Sequence, residues 1–143
     1  MIIVTNSDVL IPKQHDAFTI GPVTFIRPEH KGDKALIEHE CTHAAQWLYV
    51  TVLSFAALAI LLYLALPIHW LGLSVLSIGV HGALYRLVPE YRLRAEVQAF
   101  REQLKHYPDD RTESLAALLV SNYNLNISYE SALKALRSSG LPA

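Results

Sequence analysis

Five consecutive residues, His39-Glu40-Cys41-Thr42-His43, form an H-E-x-x-H motif at the start of a predicted helix. Residues four apart lie on one face of a helix, so both imidazoles can reach a single metal ion. Glu40 then lies beside that ion, where a carboxylate can accept a proton from metal-bound water. A catalytic zinc ion takes three protein ligands and keeps a fourth position open. The motif therefore predicts a Zn²⁺ site with His39 and His43 as ligands and Glu40 as general base.

The third ligand must come from a later part of the chain. Residues 44–66 lead away from the motif and residues 68–90 lead back, so a hairpin with equal arms returns to the level of His43 at about Glu90. Glu96 lies further on, in a predicted helix whose apolar residues can hold it rigidly. Glu90 directly follows Pro89, where a kink is expected. We therefore favour Glu96 as the third ligand and keep Glu90 as the alternative.

Two uncharged segments, residues 47–66 and 68–85, separate the motif from these glutamates. The first is long enough to cross a bilayer as a helix. The tight turn at Pro67 predicts a helical hairpin, which is either a transmembrane pair or the buried centre of a helical protein. Its tip has no charge, and positive residues flank its base: Lys31, Lys34, Arg86, Arg92 and Arg94. By the positive-inside rule, residues 47–88 would lie in the cytoplasmic membrane with both termini cytoplasmic. A soluble cytoplasmic protein is the alternative.

The remaining pattern predicts a mainly α single domain with a small N-terminal β-hairpin. Residues 17–28 are β-branched and aromatic on both sides of a Gly21-Pro22 turn, whereas Pro12 disfavours a central strand in residues 1–16. Asp33 and Ser128 are expected N-caps, and Gly140 is an expected helix end. The predicted helices are the H-E-x-x-H helix with its apolar extension at 34–66, the return helix at 68–88, the third-ligand helix at 90–106 and two C-terminal helices within 112–140.

Composition excludes some partners. The net charge is −1, and there is no basic run of the kind that binds nucleic acid. Cys41 is the only cysteine, so no internal disulfide can form. At the third position of the motif Cys41 points away from the histidine face, as a small buried residue would.

Three short segments resemble the small gluzincin-type zinc peptidases, which include the minigluzincins and peptidase-like proteins often encoded near bacterial or phage structural genes. The segments are T-I-G-x-V-x-F at 19–25, HECTHAAQW at 39–47 and RAEVQAF at 94–100. The resemblance implies a zincin-like domain with a strand lining the cleft, Gln46 after the second histidine, and Glu96 as third ligand in a pattern close to E-A-x-A-F. The long apolar hairpin departs from that pattern and favours a membrane-seated form.

The favoured function is metal-assisted hydrolysis of a peptide or protein substrate. The strand around Val23 to Ile26 is expected to pair with an extended substrate by edge addition. A further oxyanion stabiliser is expected, and the sequence does not rank the four candidates. His81 is expected to be a buried histidine bonded to a backbone carbonyl, away from the site. The four candidates are Tyr91, Tyr123, His81 and His106.

Two other hypotheses stay open. The chain could be a membrane-associated or phage-particle structural component of a larger assembly, virion-associated, with a vestigial or structural metal site. That site would be closed by a fourth protein ligand such as Cys41, His30 or Glu90. Alternatively, the chain is a small two-span membrane protein without metal, in which the motif is a coincidence.

Overall fold

A computed structural model describes residues 3–6, 11–13, 15–65 and 68–138. Within these ranges the protein is mainly helical with a small sheet near the N-terminus, which confirms the predicted fold class. The strands are β1 (Ile3–Asn6), β2 (Ala17–Ile20) and β3 (Val23–Ile26); the helices are α1 (Lys34–Ala65), α2 (Val80–Leu87), α3 (Pro89–Leu104), α4 (Thr112–Asn122) and α5 (Tyr129–Arg137); and 3-10 segments cover Pro28–His30 and Ile68–Gly79.

The sheet contains the predicted hairpin and one further strand. β2 and β3 are antiparallel, and Gly21 between them has φ +59°, a conformation that glycine adopts at the first central position of a tight hairpin turn. β1 pairs in parallel with β3 on its other side, so the strand order is β1-β3-β2. Because both edges of β3 are occupied, the predicted pairing of residues 23–26 with a substrate is wrong. Within the described chain, the outer edge of β2 is unpaired.

Helix α1 is a single rod of 32 residues, or about 48 Å at 1.5 Å per residue. The Asp33 carboxylate accepts a hydrogen bond from the Leu36 amide at 3.0 Å, which confirms Asp33 as the N-cap. The helix ends at Ala65, and the predicted turn at residues 66–67 lies outside the described residues. Among the described residues it is the one helix long and apolar enough to cross a membrane.

The return arm, predicted as one helix over 68–88, is divided into a 3-10 segment of 12 residues and the short helix α2. Side chains of a 3-10 helix repeat every three residues. Ser74 and Ser77 are accordingly buried in one row, where the segment packs against α1, and residues between them are exposed. Gly72 and Gly79 disfavour a regular α-helix in this segment.

The C-terminal helices form the main apolar core with α3. The predicted N-cap of α5 is present, because the Ser131 amide donates to Ser128 at 3.1 Å. Before α4, the Thr112 amide donates to Asp110 at 2.9 Å. α5 ends at Arg137, and Gly140 lies outside the described residues. The core also reaches the predicted metal ligands of α1, because the Phe100 ring centroid lies 4.6 Å from that of His39. Its buried side chains are Val97, Phe100, Leu115, Ala116, Leu119, Leu125, Ala132, Ala135 and Leu136.

Candidate metal centre

His39, His43 and Glu96 meet between α1 and α3, and their ligand atoms all lie within 4.8 Å of one another. The two histidine Nε2 atoms are 3.2 Å apart, and the Glu96 carboxylate oxygens lie 3.7 Å from His39 Nε2 and 3.5 Å from His43 Nε2. Zinc bonds of about 2.0–2.1 Å in tetrahedral geometry place ligand atoms about 3.3 Å apart. The three side chains therefore fit one tetrahedral metal ion. Glu90 is exposed in the first turn of α3 and is not part of the group.

The charge and burial of Glu96 also fit a cation. Its carboxylate is fully buried, and Oε2 has no hydrogen-bond partner among the described residues. A buried polar atom without a partner is costly unless a ligand or ion satisfies it. Oε2 lies on the side of His39, where a shared ion would contact it. We conclude that the group can hold a metal ion.

When no metal is bound, the charges of the group favour a proton on His43. Burial lowers the pKa of His43, but the Glu96 carboxylate outweighs burial and raises that pKa to about 9. Burial would raise the pKa of Glu96, and the charge of His43 instead keeps it low. Burial and then the charge on His43 lower the pKa of His39 to about 3, so His39 stays neutral. One positive charge beside Glu96 is the stable state, and a metal ion would replace the His43 proton.

Two side chains around the ligands fix their orientation. Gln46 Oε1 lies 3.1 Å from His43 Nδ1, so an Nδ1 proton donated to it leaves the Nε2 lone pair for a metal. The Gln46 amide also donates to the Ala95 carbonyl at 3.0 Å, which joins α1 to α3. The Tyr85 hydroxyl donates to Glu96 Oε1 from α2. Tyr85 was not among the residues that the sequence indicated, because no motif marks it.

Glu40 lies next to the group and is held by the sheet. The Thr19 hydroxyl, on β2, donates to Glu40 Oε2 at 2.6 Å, and the Thr24 hydroxyl lies 2.9 Å from that of Thr19. Burial raises the pKa of Glu40 more than His43 and the Thr19 hydrogen bond lower it. A general base is most effective when its pKa is near the working pH, so this direction suits the predicted role.

The residues considered as a fourth ligand lie elsewhere. Cys41 is half-buried, and burial raises the pKa of its thiol, which opposes formation of a thiolate ligand. His30 lies 3.6 Å from the Asp16 carboxylate. Among the described residues, the candidate metal group contains three ligands and leaves a fourth position open.

Of the four oxyanion candidates, Tyr123 lies nearest the metal group. Burial and then the Glu96 carboxylate raise the pKa of its phenol, and its ring packs against Phe100. His81 does not follow its prediction, since its Nδ1 lies 2.6 Å from the Tyr91 hydroxyl and its ring centroid 6.3 Å from that of Tyr85. His106 is not part of the cleft.

A cleft of about 250 Å³ gives access to the group from the N-terminal end of α1. It exposes His39 and Glu40 between the start of β2 and helix α4. The opposite end of the site is closed by the packing of α2 on α1 and α3. The cleft therefore opens on the side away from the apolar hairpin. The other residues that line the cleft include Ala17, Phe100, Tyr107, Leu115, Leu118 and Tyr123.

No protein-family model matches the chain, and comparison with curated proteins and with solved structures finds no match either. The resemblance to small gluzincin-type peptidases therefore stays a prediction from the sequence. The candidate site rests on its own geometry.

Proposed function

We propose that the protein is a zinc-dependent peptidase. One observation carries this proposal: a buried group of three potential ligands, His39, His43 and Glu96, lies beside Glu40, a carboxylate whose pKa burial raises. A structural site needs no base at that position, and among the described residues no fourth protein ligand joins the group. The structural alternative is therefore less well supported than catalysis.

A zinc ion bound by the group would supply Lewis acidity to a water molecule and to the scissile carbonyl. Glu40 would accept the proton of that water and pass it to the leaving amine, a role worth about 10²–10⁴-fold in rate. The Thr19 hydrogen bond holds Oε2, and Oε1 would be the oxygen that accepts the proton. Tyr123, which lines the cleft, is the candidate for stabilising the developing oxyanion.

The unpaired edge of β2 is the surface that would align a substrate. β2 begins at Ala17, which lines the cleft, and carries Thr19 beside Glu40. An extended peptide that adds to this edge would gain main-chain hydrogen bonds whatever its side chains are. The substrate class is therefore an extended polypeptide segment, as in the sequence prediction, but aligned by β2 in place of β3.

The location that fits best is the cytoplasmic membrane, with both termini in the cytoplasm. The support is the apolar length of α1 together with positive residues at the base of the hairpin and none at its tip. A soluble cytoplasmic protein and a virion component are the alternatives, and fractionation of cells that express the protein distinguishes them.

The test is hydrolysis of a peptide library, with new termini read by mass spectrometry. Wild type, Glu40→Gln and the matched Glu38→Gln variant are purified in detergent, and zinc is counted by elemental analysis. We expect one zinc per chain in all three, with cleavage by wild type and Glu38→Gln only. Zinc-loaded wild type that cleaves nothing, or cleavage retained by Glu40→Gln, would overturn the proposal.

A further inference from the structure

The helical hairpin exposes its largest apolar side chains. Along α1, Ile60, Tyr63 and Leu64 are 61%, 67% and 76% exposed, and Leu76 on the return arm is 66% exposed. The most apolar stretch of α1 has a mean hydropathy of 2.3, yet 6% of it is buried inside the protein. Soluble monomers rarely expose apolar surface that continues over this length.

The inner face of the hairpin carries small hydroxyl-bearing residues beside the buried Leu62. Thr51 and Ser54 are half-buried on α1, and Ser74 and Ser77 are buried in the 3-10 segment that packs against it. The Thr51 and Ser77 hydroxyls are buried without a hydrogen-bond partner among the described residues. The hairpin thus buries Ser74 and Ser77 beside Leu62, while larger apolar side chains such as Leu64 and Leu76 are exposed. Small and hydroxyl-bearing residues between helices are typical of packing within lipid.

The two arms are nearly equal in length although they differ in residue count. Residues 48–65 of α1 cover about 27 Å at 1.5 Å per residue, and residues 68–79 cover about 24 Å at the 2.0 Å rise of a 3-10 helix. The hydrocarbon core of a bilayer is about 30 Å thick, and a bilayer thins locally around segments a few Å shorter. The Trp47 indole donates to the Ile78 carbonyl at 3.1 Å, so both arms begin at one level, with tryptophan where the membrane–water boundary would lie.

We infer that the outer surface of residues 48–65 and 72–79 faces lipid acyl chains, with both arms crossing the hydrocarbon core. The exposed apolar residues lie along both arms and around most of the circumference of α1. This distribution is expected for a helix surrounded by lipid, whereas a partner protein would cover only one side. His43 lies five residues before Leu48, about 7.5 Å along the helix. The metal group therefore lies within the protein just outside the hydrocarbon core, with its cleft opening away from the lipid.

This inference goes beyond the proposed location, since it assigns the lipid-facing surface and the depth of the site, and it does not depend on hydrolysis. The test uses the full chain with Cys41→Ser, which removes the only cysteine. Single cysteines replace Ala57 or Leu73, which lie near the middle of each arm, or the exposed Ser114 of α4 as control. Each carries a polarity-sensitive fluorophore in phosphatidylcholine–phosphatidylglycerol vesicles. Circular dichroism checks the helix content of each variant against wild type.

Lipids that carry the nitroxide near the end of the acyl chain should quench the fluorophores at positions 57 and 73 more strongly than lipids labelled near the headgroup. Aqueous iodide should quench these two fluorophores little. Position 114 should respond to iodide alone. Stronger quenching by headgroup-labelled lipids would show a hairpin that lies at the interface and would overturn the inference. Protection from both lipid and iodide would mean that a second copy covers the surface, which also overturns it. Failure of the wild-type protein to float with vesicles would overturn it without any substitution.

Discussion

Replacing Glu96 by glutamine should weaken zinc binding while preserving the shape of the site. Glutamine keeps an oxygen for the Tyr85 hydroxyl but removes the negative charge that both histidines face at 3.5 and 3.7 Å. Glu40 cannot replace Glu96 as a zinc ligand without losing its hydrogen bond with Thr19. Glu90 cannot replace it either, because Glu90 is exposed at the start of α3 and is not part of the group. Two neutral histidines would then be the only strong ligands.

The expected loss follows from the number of ligands. Zinc binding by four protein ligands is worth about 10–16 kcal/mol, or about 3 kcal/mol for each ligand. At about 1.4 kcal/mol per tenfold change, loss of one ligand weakens binding on the order of 10²-fold. Proton competition reduces this difference near neutral pH. Wild type must first release the His43 proton, whose pKa Glu96 holds at about 9 against the effect of burial. The glutamine variant largely avoids that cost.

The assay is competition for zinc against a chromogenic chelator, for wild type, Glu96→Gln and Glu90→Gln, at pH 7 and at pH 9. We expect Glu90→Gln to match wild type at both values. The loss of affinity in Glu96→Gln should be larger at pH 9, where the His43 proton of wild type competes with zinc far less than at pH 7. Equal zinc affinity of Glu96→Gln and wild type at pH 9 would refute Glu96 as the third ligand. A loss of zinc affinity in Glu90→Gln alone would identify Glu90 as the third ligand.

Three further results are expected. Gln46→Leu should weaken zinc binding about 10- to 100-fold, because His43 loses the acceptor that orients it; Gln98→Leu, at an exposed neighbour on α3, should not, and chelator competition compares them. Tyr85→Phe should lower zinc affinity about tenfold by freeing the third ligand, and unchanged affinity would leave Tyr85 with a packing role. In zinc-free protein, the free energy of unfolding should peak near pH 6.5. As the pH rises from 6.5 to about 9, stability falls because folded His43 loses a proton that the unfolded chain has already released. As the pH drops from 6.5 to about 3, stability falls because His39 becomes protonated in the unfolded chain but stays neutral in the folded protein. Urea titrations across this range would contradict the argument if stability rose steadily with pH.

The parts of the site that the sequence predicts depend on local spacing. The four-residue interval places His39 and His43 on one face, and Asp33 marks where their helix begins. Glu96 was preferred because a rigid helix can hold it, and α3 does bring it to both histidines. Each of these inferences needs one helix and its period. The role of zinc itself remains a prediction.

Tyr85 could not be predicted because the return arm does not have the rise of an α-helix. Equal arms of α-helix return the chain to His43 at about residue 90. A segment of 12 residues in 3-10 conformation gains about 0.5 Å per residue over an α-helix, or about 6 Å in all, which equals four α-helical residues. The chain therefore reaches the site at about residue 86, and Tyr85 is the residue that contacts Glu96 there.

The sheet shows a different limit. Gly21-Pro22 is a local signal, and the hairpin of β2 and β3 forms around it. Pairing of β1 with β3 joins segments about 20 residues apart through only four residues, and a local pattern cannot specify it. That pairing decides which edge of the sheet remains open to a substrate, so the alignment of substrate could not be predicted correctly from residues 17–28 alone.

Helix α1 carries the metal ligands and the apolar arm on one backbone, without glycine or proline between Lys34 and Ala65. Sharp bends in helices need such residues or an insertion into the hydrogen-bond ladder. The angular phase between the histidine face and the inner face of the hairpin is therefore fixed by residue count. One residue inserted between His43 and Trp47 would turn everything beyond it by about 100° and shift it by about 1.5 Å. Insertions and deletions are thus excluded from this junction, while substitutions on the outer surface of the arm leave the phase unchanged.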